Sequence, residues 1–241
     1  MLIEAHRIDK GARVDADICV IGTGPAGMAL LRDLSRPGLN IVALESGGKV
    51  FNPDAQALCD GPIISRDNYP KGALMSSRRR QLGGTAHLWN DELDAGKGDE
   101  LVRLVTLDPI DFEKRPWIPY SGWPFGKSEL DNFYDRALKL LGVTQPSGDG
   151  LGLTNDHPEL LLPDASLRTV LSRFAVRTIF TRDYPEALAQ DKNVRVYLNA
   201  TVLELVSHND VISYARVASE PGREFEVAAK LFVVAGGGIE N

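Results

Sequence analysis

The segment Gly22-Thr23-Gly24-Pro25-Ala26-Gly27 carries the most legible chemistry in this chain. Glycines spaced Gly-x-Gly-x-x-Gly directly after an apolar run are suited to hold a diphosphate. Gly22 permits a tight turn out of a strand, Gly24 lets a pyrophosphate approach bare backbone, and Gly27 lets a helix pack closely on the sheet. Pro25 suits the first turn of that helix, where its missing N–H costs nothing. Ala26 shares that turn, so Gly22, Gly24, Pro25, Ala26 and Gly27 are the first candidate cofactor contacts. The free N–H groups and positive dipole end of the helix would face the phosphates. Glu45 stands close to the spacing of roughly 20 residues past the last glycine at which an acid binds ribose hydroxyls. A carboxylate there accepts two hydroxyl protons and repels a 2′-phosphate. FAD and NAD both use this unit, so it does not choose between them.

Two further segments allow close backbone approach. Gly83-Gly84-Thr85 joins adjacent glycines to a hydroxyl, a pattern suited to phosphate or ring contacts. Ala235-Gly236-Gly237-Gly238 ends a late apolar run. Cys19 and Cys59 lack metal-ligand spacing and form no disulfide framework. Cys19 reads as a small buried hydrophobe, and no metal is expected. Arg78-Arg79-Arg80 reads as a solvated turn.

These residues need elements to position them. Asp17–Ile21 reads as a buried parallel strand, residues 25–34 as a helix, and Ile41–Leu44 as the second strand. Pro37-Gly38 ends the helix. Residues 51–69 are rich in Pro, Asp and Gly and read as loop. Leu130, Phe133, Tyr134, Ala137, Leu138 and Leu141 recur at helical spacing after Ser128, which marks an amphipathic helix with a core-facing stripe stopped by Gly142. Residues 145–156 read as a polar Gly-rich loop, followed by the loop histidine His157. Val194–Leu198 is a third strand of the parallel sheet. Runs at 202–207, 211–219 and 223–228, broken by His208-Asn209-Asp210 and Pro221-Gly222, read as an antiparallel meander. Leu231–Ala235 then re-enters the sheet as a separate buried strand.

In four ordered blocks the chain resembles the glucose–methanol–choline (GMC) flavin oxidoreductases. The first is the N-terminal fingerprint. The second is Arg80-Gln81-Leu82-Gly83-Gly84-Thr85-Ala86-His87-Leu88-Trp89-Asn90, similar to the family's Gly-Gly-Ser/Thr segment. The third is Leu107–Glu113 with Arg115–Pro124, similar to a signature of the sugar and polyol dehydrogenase branch. The fourth is Leu231–Asn241. The resemblance implies FAD as cofactor, with Gly83, Gly84 and Thr85 along the flavin and diphosphate, and Ala235 and Gly236 at a glycine turn that returns to the flavin. Some relatives attach flavin through a histidine directly before the tryptophan; here Leu88 holds that place and His87 stands one earlier. His87 is either a hydrogen-bonding neighbour of the flavin or structural. Asn90 either presents its amide near the flavin or starts a turn. Val202 either meets the adenine edge through its backbone or is an ordinary strand residue. Trp117 and Trp123, set among prolines, are expected to pack a stiff loop against the core.

The implied fold class is α/β: a Rossmann-like FAD-binding fold with a parallel sheet and an inserted antiparallel β-meander. Residues 1–241 form the FAD-binding part, with 50–190 supplying flavin-contacting loops and a helical insertion. The family's substrate-covering region and its catalytic base, a histidine paired with a histidine or asparagine, resemble no segment here and are expected beyond Asn241. The implied activity is oxidation of an alcohol, sugar or polyol by hydride transfer to FAD. Two alternatives are a non-catalytic FAD-binding chain that needs a partner and an NAD(P)H-dependent flavoenzyme. An electron-acceptor subunit is an implied partner. A formal net charge of −6 favours no nucleic-acid partner. No signal peptide or transmembrane run is read, so the cytoplasm is the expected setting.

Overall fold

A computed structural model describes residues 1–64, 70–89, 101–143, 173–176 and 178–241 of the chain. Asn90, the 145–156 loop and His157 lie outside the described residues. The chain divides into two compact units, one of Met1–Asn90 with Arg177–Asn241 and one of Asp91–Val176.

The first unit is built on a seven-stranded sheet. Its strands are β1 (Leu2–Glu4), β2 (Arg13–Ile21), β3 (Ile41–Leu44), β6 (Val194–Leu198), β7 (Thr201–His208), β8 (Val211–Glu220) and β9 (Arg223–Val234), in spatial order β1-β6-β3-β2-β9-β8-β7. The first five positions pair in parallel. The last two join β9 antiparallel as a meander. This is a Rossmann-like fold of the α/β class, with parallel sheet and meander as the sequence implies. Residues of β3 are buried throughout, as a central parallel strand requires. The longer β2 and β9 run side by side from Arg13↔Glu226 to Ile21↔Val234.

Turn chemistry sets the meander. Asn209 and Asp210 both take positive φ, 49° and 61°, in the two-residue link between His208 and Val211. That is the type I′ geometry whose twist suits a tight hairpin. Pro221 and Gly222 close the next hairpin, with Gly222 at φ 76°. Tyr197, Val217, Phe225 and Val227 form the core where the meander meets the parallel strands. One expectation changes here. The run at 223–228 and the strand from Leu231 are one continuous element, because Ala228-Ala229-Lys230 contains no breaker and its backbone keeps pairing with β2. β1 is also invisible to pattern reading; three residues carry no resolvable period.

Helix α1 spans Pro25–Leu34 and ends before the Pro37-Gly38 turn. It buries Gly27, Met28 and Leu31. Two short helices, α2 (Pro53–Ala57) and α3 (Ala73–Ser76), follow, and α5 (Tyr184–Gln190) precedes β6.

In the second unit β4 (Leu101–Leu104) pairs antiparallel with β5 (Arg173–Val176). The amphipathic helix forms as α4, Asp131–Leu140, after a 3-10 turn at Lys127–Leu130. Only Leu138 of its expected core stripe is buried, and Phe133 is 58% exposed beside Arg136. Trp123 clusters with Phe112 and Phe125 but is 55% exposed, and Trp117 is 76% exposed, so neither tryptophan is buried against the core as expected.

Candidate functional site

The three glycine segments read from the sequence converge. Gly22 leaves β2 with φ 101°, and a Cβ there would lie 2.5 Å from Ala235 O. A Cβ on Gly27 would lie 2.0 Å from Gly22 O, and one on Gly84 would lie 2.7 Å from Gly24 Cα. Gly83 N–H donates to Thr23 O at 3.2 Å, and Ala235 N–H to Ile21 O at 2.8 Å. Segments far apart in sequence thus touch at the backbone level, where any side chain would separate them.

They wall a cavity of about 790 Å³ at the carboxyl ends of β2, β3 and β9. Its lining includes Gly22, Gly24, Pro25, Ala26, Glu45, Gly84, Thr85, Val202, Ala235 and Gly236. Open α/β sheets bind ligands at this place, where the connections leave the strands in opposite directions. The volume lies within the range of small-molecule sites. Gly27, Gly83 and His87 do not line it. Gly27 seats α1 on the loop, and His87 Nε2–H donates to Leu82 O at 2.9 Å beside Gly83.

The start of α1 is prepared for an anion. Gly24 precedes it in extended backbone, no side chain caps it, and its first turn holds no acidic residue. A helix N-terminus without such partners leaves N–H groups and a partial positive charge to the solvent or a ligand. Gly24 faces open space: a methyl group at its Cβ position would meet nothing nearer than Gly84 Cα at 3.9 Å. Bare backbone, free N–H groups and a concave wall together fit a dinucleotide diphosphate.

Glu45 is 5% exposed. Its Oε2 accepts from Thr23 N–H at 3.1 Å and Thr23 Oγ1–H at 2.5 Å, and its Oε1 accepts from Gly47 N–H at 2.8 Å. Burial pushes its carboxyl above the usual range, against the pull of these hydrogen bonds and of the Arg80 charge. The acid therefore braces the glycine loop, with Oε2 accepting two hydrogen bonds and Oε1 one. Ala200 N–H donates to Glu45 O at 2.8 Å, which brings the turn before Val202 to the same end of the cavity.

One wall is not legible in the sequence. Arg78, Arg79 and Arg80 are no solvated turn; all three line the cavity. Buried Gln56 of α2 fixes their backbone. Its Nε2 donates to Met75 O at 2.7 Å and Arg78 O at 2.9 Å, and its Oε1 accepts from Arg80 N–H at 3.0 Å. Gln56→Ala should leave these backbone groups unpaired, at about 1–3 kcal/mol. Hydrogen exchange at Arg80 should accelerate in that variant; unchanged protection would show that the clamp is not what holds the segment.

No family model matches the chain. Over 153 residues, 58% of this chain, it is 28% identical to paromamine 6'-oxidase of Streptomyces fradiae. The chain spans about a quarter of that curated relative, 26%. The chain resembles the glucose–methanol–choline oxidoreductases. Among solved structures, pyridoxine 4-oxidase from Mesorbium loti is similar at TM-score 0.45 and 18% identity, over 92% of this chain and 49% of that one. The Mycobacterium smegmatis Sdh1 complex is similar at TM-score 0.44 and 16% identity, over 95% of this chain and 35% of that one. Among the described residues no helix is long and apolar enough to cross a membrane.

Proposed function

We propose that the chain binds FAD and forms the FAD-binding portion of a GMC-type oxidoreductase, acting on an alcohol group of a sugar, polyol or other alcohol. The convergence of the glycine segments at 22–27, 83–85 and 235–236 on one cavity carries this reading. Gly22, Gly24, Pro25, Ala26 and the start of α1 take the diphosphate. Glu45 takes the ribose through Oε1, and Val202 lies on the adenosine side. Gly84, Thr85, Ala235 and Gly236 line the path toward the flavin, with Gly83 and His87 holding that turn in shape. FAD supplies the hydride acceptor that alcohol oxidation requires. The chain's own residues keep side-chain bulk out of the loop, orient the diphosphate and leave the phosphates no side chain to displace. The similar protein paromamine 6'-oxidase is named as an oxidase, which supports the class of reaction.

Reconstitution tests the cofactor. Purified protein mixed with FAD and desalted should retain flavin absorbance at one equivalent and melt at a higher temperature, as any ligand specific for the folded state dictates. NAD⁺ and NADP⁺ at the same concentration should compete poorly. Absence of retained flavin together with an unmoved melting temperature would refute the proposal.

A further inference from the structure

A second groove, of about 390 Å³, lies at the carboxyl ends of the parallel strands β1, β6 and β3. Each strand supplies a wall as the chain leaves it: Glu4 ends β1, Asn199 follows β6, and residues 48–53 follow β3. Carboxyl ends of parallel strands are where α/β sheets bind ligands, and the volume suits a small one. None of these residues lines the dinucleotide cavity.

The groove carries two opposite charges that the protein does not neutralise. The Lys49 ammonium makes no ion pair or hydrogen bond among the described residues. Glu4 makes no ion pair among them either, but its Oε2 accepts from Asn199 Nδ2–H at 2.8 Å. Asn199 is half-buried in left-handed backbone, φ 55°, which asparagine tolerates better than most residues. Its amide is turned toward Gly48, whose Cβ position lies 3.4 Å from both amide atoms. The Glu4 carboxylate is thus held by a side chain that is itself fixed.

The loop that carries Lys49 is set before any ligand arrives. Leu82 N–H donates to Gly48 O at 3.0 Å, Gln81 Nε2–H to Lys49 O at 3.0 Å, and Asn199 N–H to Gly47 O at 2.9 Å. Asn52 Oδ1 accepts from Asp54 N–H at 2.8 Å and caps α2. The Arg79 guanidinium lies 4.4 Å from the Phe51 ring centroid and covers one face of the ring. Phe51 and Val50 still keep 43% and 77% of their surface in water, so an apolar wall stands beside the two charges. A wall formed in advance needs little ordering on binding.

We propose that this groove binds a free amino acid with a hydrocarbon side chain. Glu4 takes the α-ammonium, Lys49 takes the α-carboxylate, and Phe51 with Val50 packs the side chain. A zwitterion answers both charges of the groove, whereas a ligand with one charge leaves the other unmatched. The site stands apart from the dinucleotide reading and does not depend on it.

NMR titration of the isotope-labelled chain with three probes tests the assignment: L-phenylalanine, 3-phenylpropionate, which lacks the ammonium, and L-phenylalaninamide, which lacks the carboxylate. L-Phenylalanine should shift the amides of residues 47–52 and of Asn199 saturably, with a dissociation constant of about 1 mM. Glu4→Gln keeps an acceptor for Asn199 and should weaken L-phenylalanine about fivefold, as loss of one part-exposed ion pair implies, while leaving 3-phenylpropionate unchanged. Lys49→Met should weaken L-phenylalanine by a similar factor and leave L-phenylalaninamide unchanged, and Lys49→Arg should restore binding. FAD retention should be the same in all three variants. Absence of saturable shifts, or a loss under about twofold in either Glu4→Gln or Lys49→Met, would overturn the assignment while the FAD reading stands. Equal affinity for L-phenylalanine and 3-phenylpropionate would overturn it too, because the ammonium would then have no partner.

Discussion

Gly27→Ala should cost the chain both dinucleotide affinity and stability. The added Cβ would sit 2.0 Å from Gly22 O and 3.0 Å from Gly22 C. Gly22 cannot retreat, because Ala235 O stands 2.5 Å from where its own Cβ would be. The start of α1 must move instead, and with it the N–H groups aimed into the cavity. Overpacking of this kind costs about 1–3 kcal/mol, or a fall in melting temperature of roughly 3–10 °C for a chain of this size. The loss of one or two charge-assisted contacts should weaken FAD binding at least about tenfold. Gly38→Ala is the control. Unlike Gly27 it has positive φ, 84°, and no atom lies within 4 Å of its Cβ position. It should lose about 1–2 kcal/mol from backbone strain alone and keep its affinity. FAD titration of the two variants decides: wild-type affinity in Gly27→Ala would sink the close-packing account.

That contrast also shows what is legible in a sequence. Gly22, Gly24 and Gly27 stand out because each does a backbone job that no side chain can share, and the strand and helix on either side have clear periods. The Gly83-Gly84 and Ala235-Gly236 turns are visible for the same reason, although only the fold brings them together. The arginine run reads wrongly because charge alone suggests solvent. What makes it a wall is Gln56, 22 residues upstream of Arg78, binding Arg78 O. A glutamine that clamps a distant backbone leaves no pattern along the chain. Continuous β9 reads as two strands for a related reason: composition changes near Lys230 although the hydrogen bonding does not. Exposed Phe133 and Trp117 mark the converse limit, since an apolar residue at helical or loop spacing states a preference for burial without a partner to satisfy it.

Thr23→Val should produce a defect that grows with pH. Thr23 is fully buried, and its hydroxyl donates to Glu45 Oε2 at 2.5 Å. Valine fills the same volume but removes a hydrogen bond to a charged group, at about 1.5–3 kcal/mol. Glu45 already has a raised carboxyl pKa, chiefly from burial, and the Thr23 hydroxyl is the largest influence holding it down. The folded state therefore binds this proton more tightly than the unfolded chain, so stability falls as pH rises from the ordinary glutamate value toward the folded one. Above the folded pKa the penalty is present in full. Removing the hydroxyl raises the folded pKa further and so deepens the penalty at neutral pH while changing little below the unfolded value. The difference in melting temperature between wild type and Thr23→Val should accordingly be small near pH 5 and larger near pH 8, and Thr23→Ser should restore most of it. FAD affinity at neutral pH should fall about tenfold or more in the valine variant, because a Glu45 displaced from Thr23 no longer presents Oε1 to the ribose. A defect of equal size at both pH values would mean that Thr23 acts through packing alone and that Glu45 is not the acid bracing the loop.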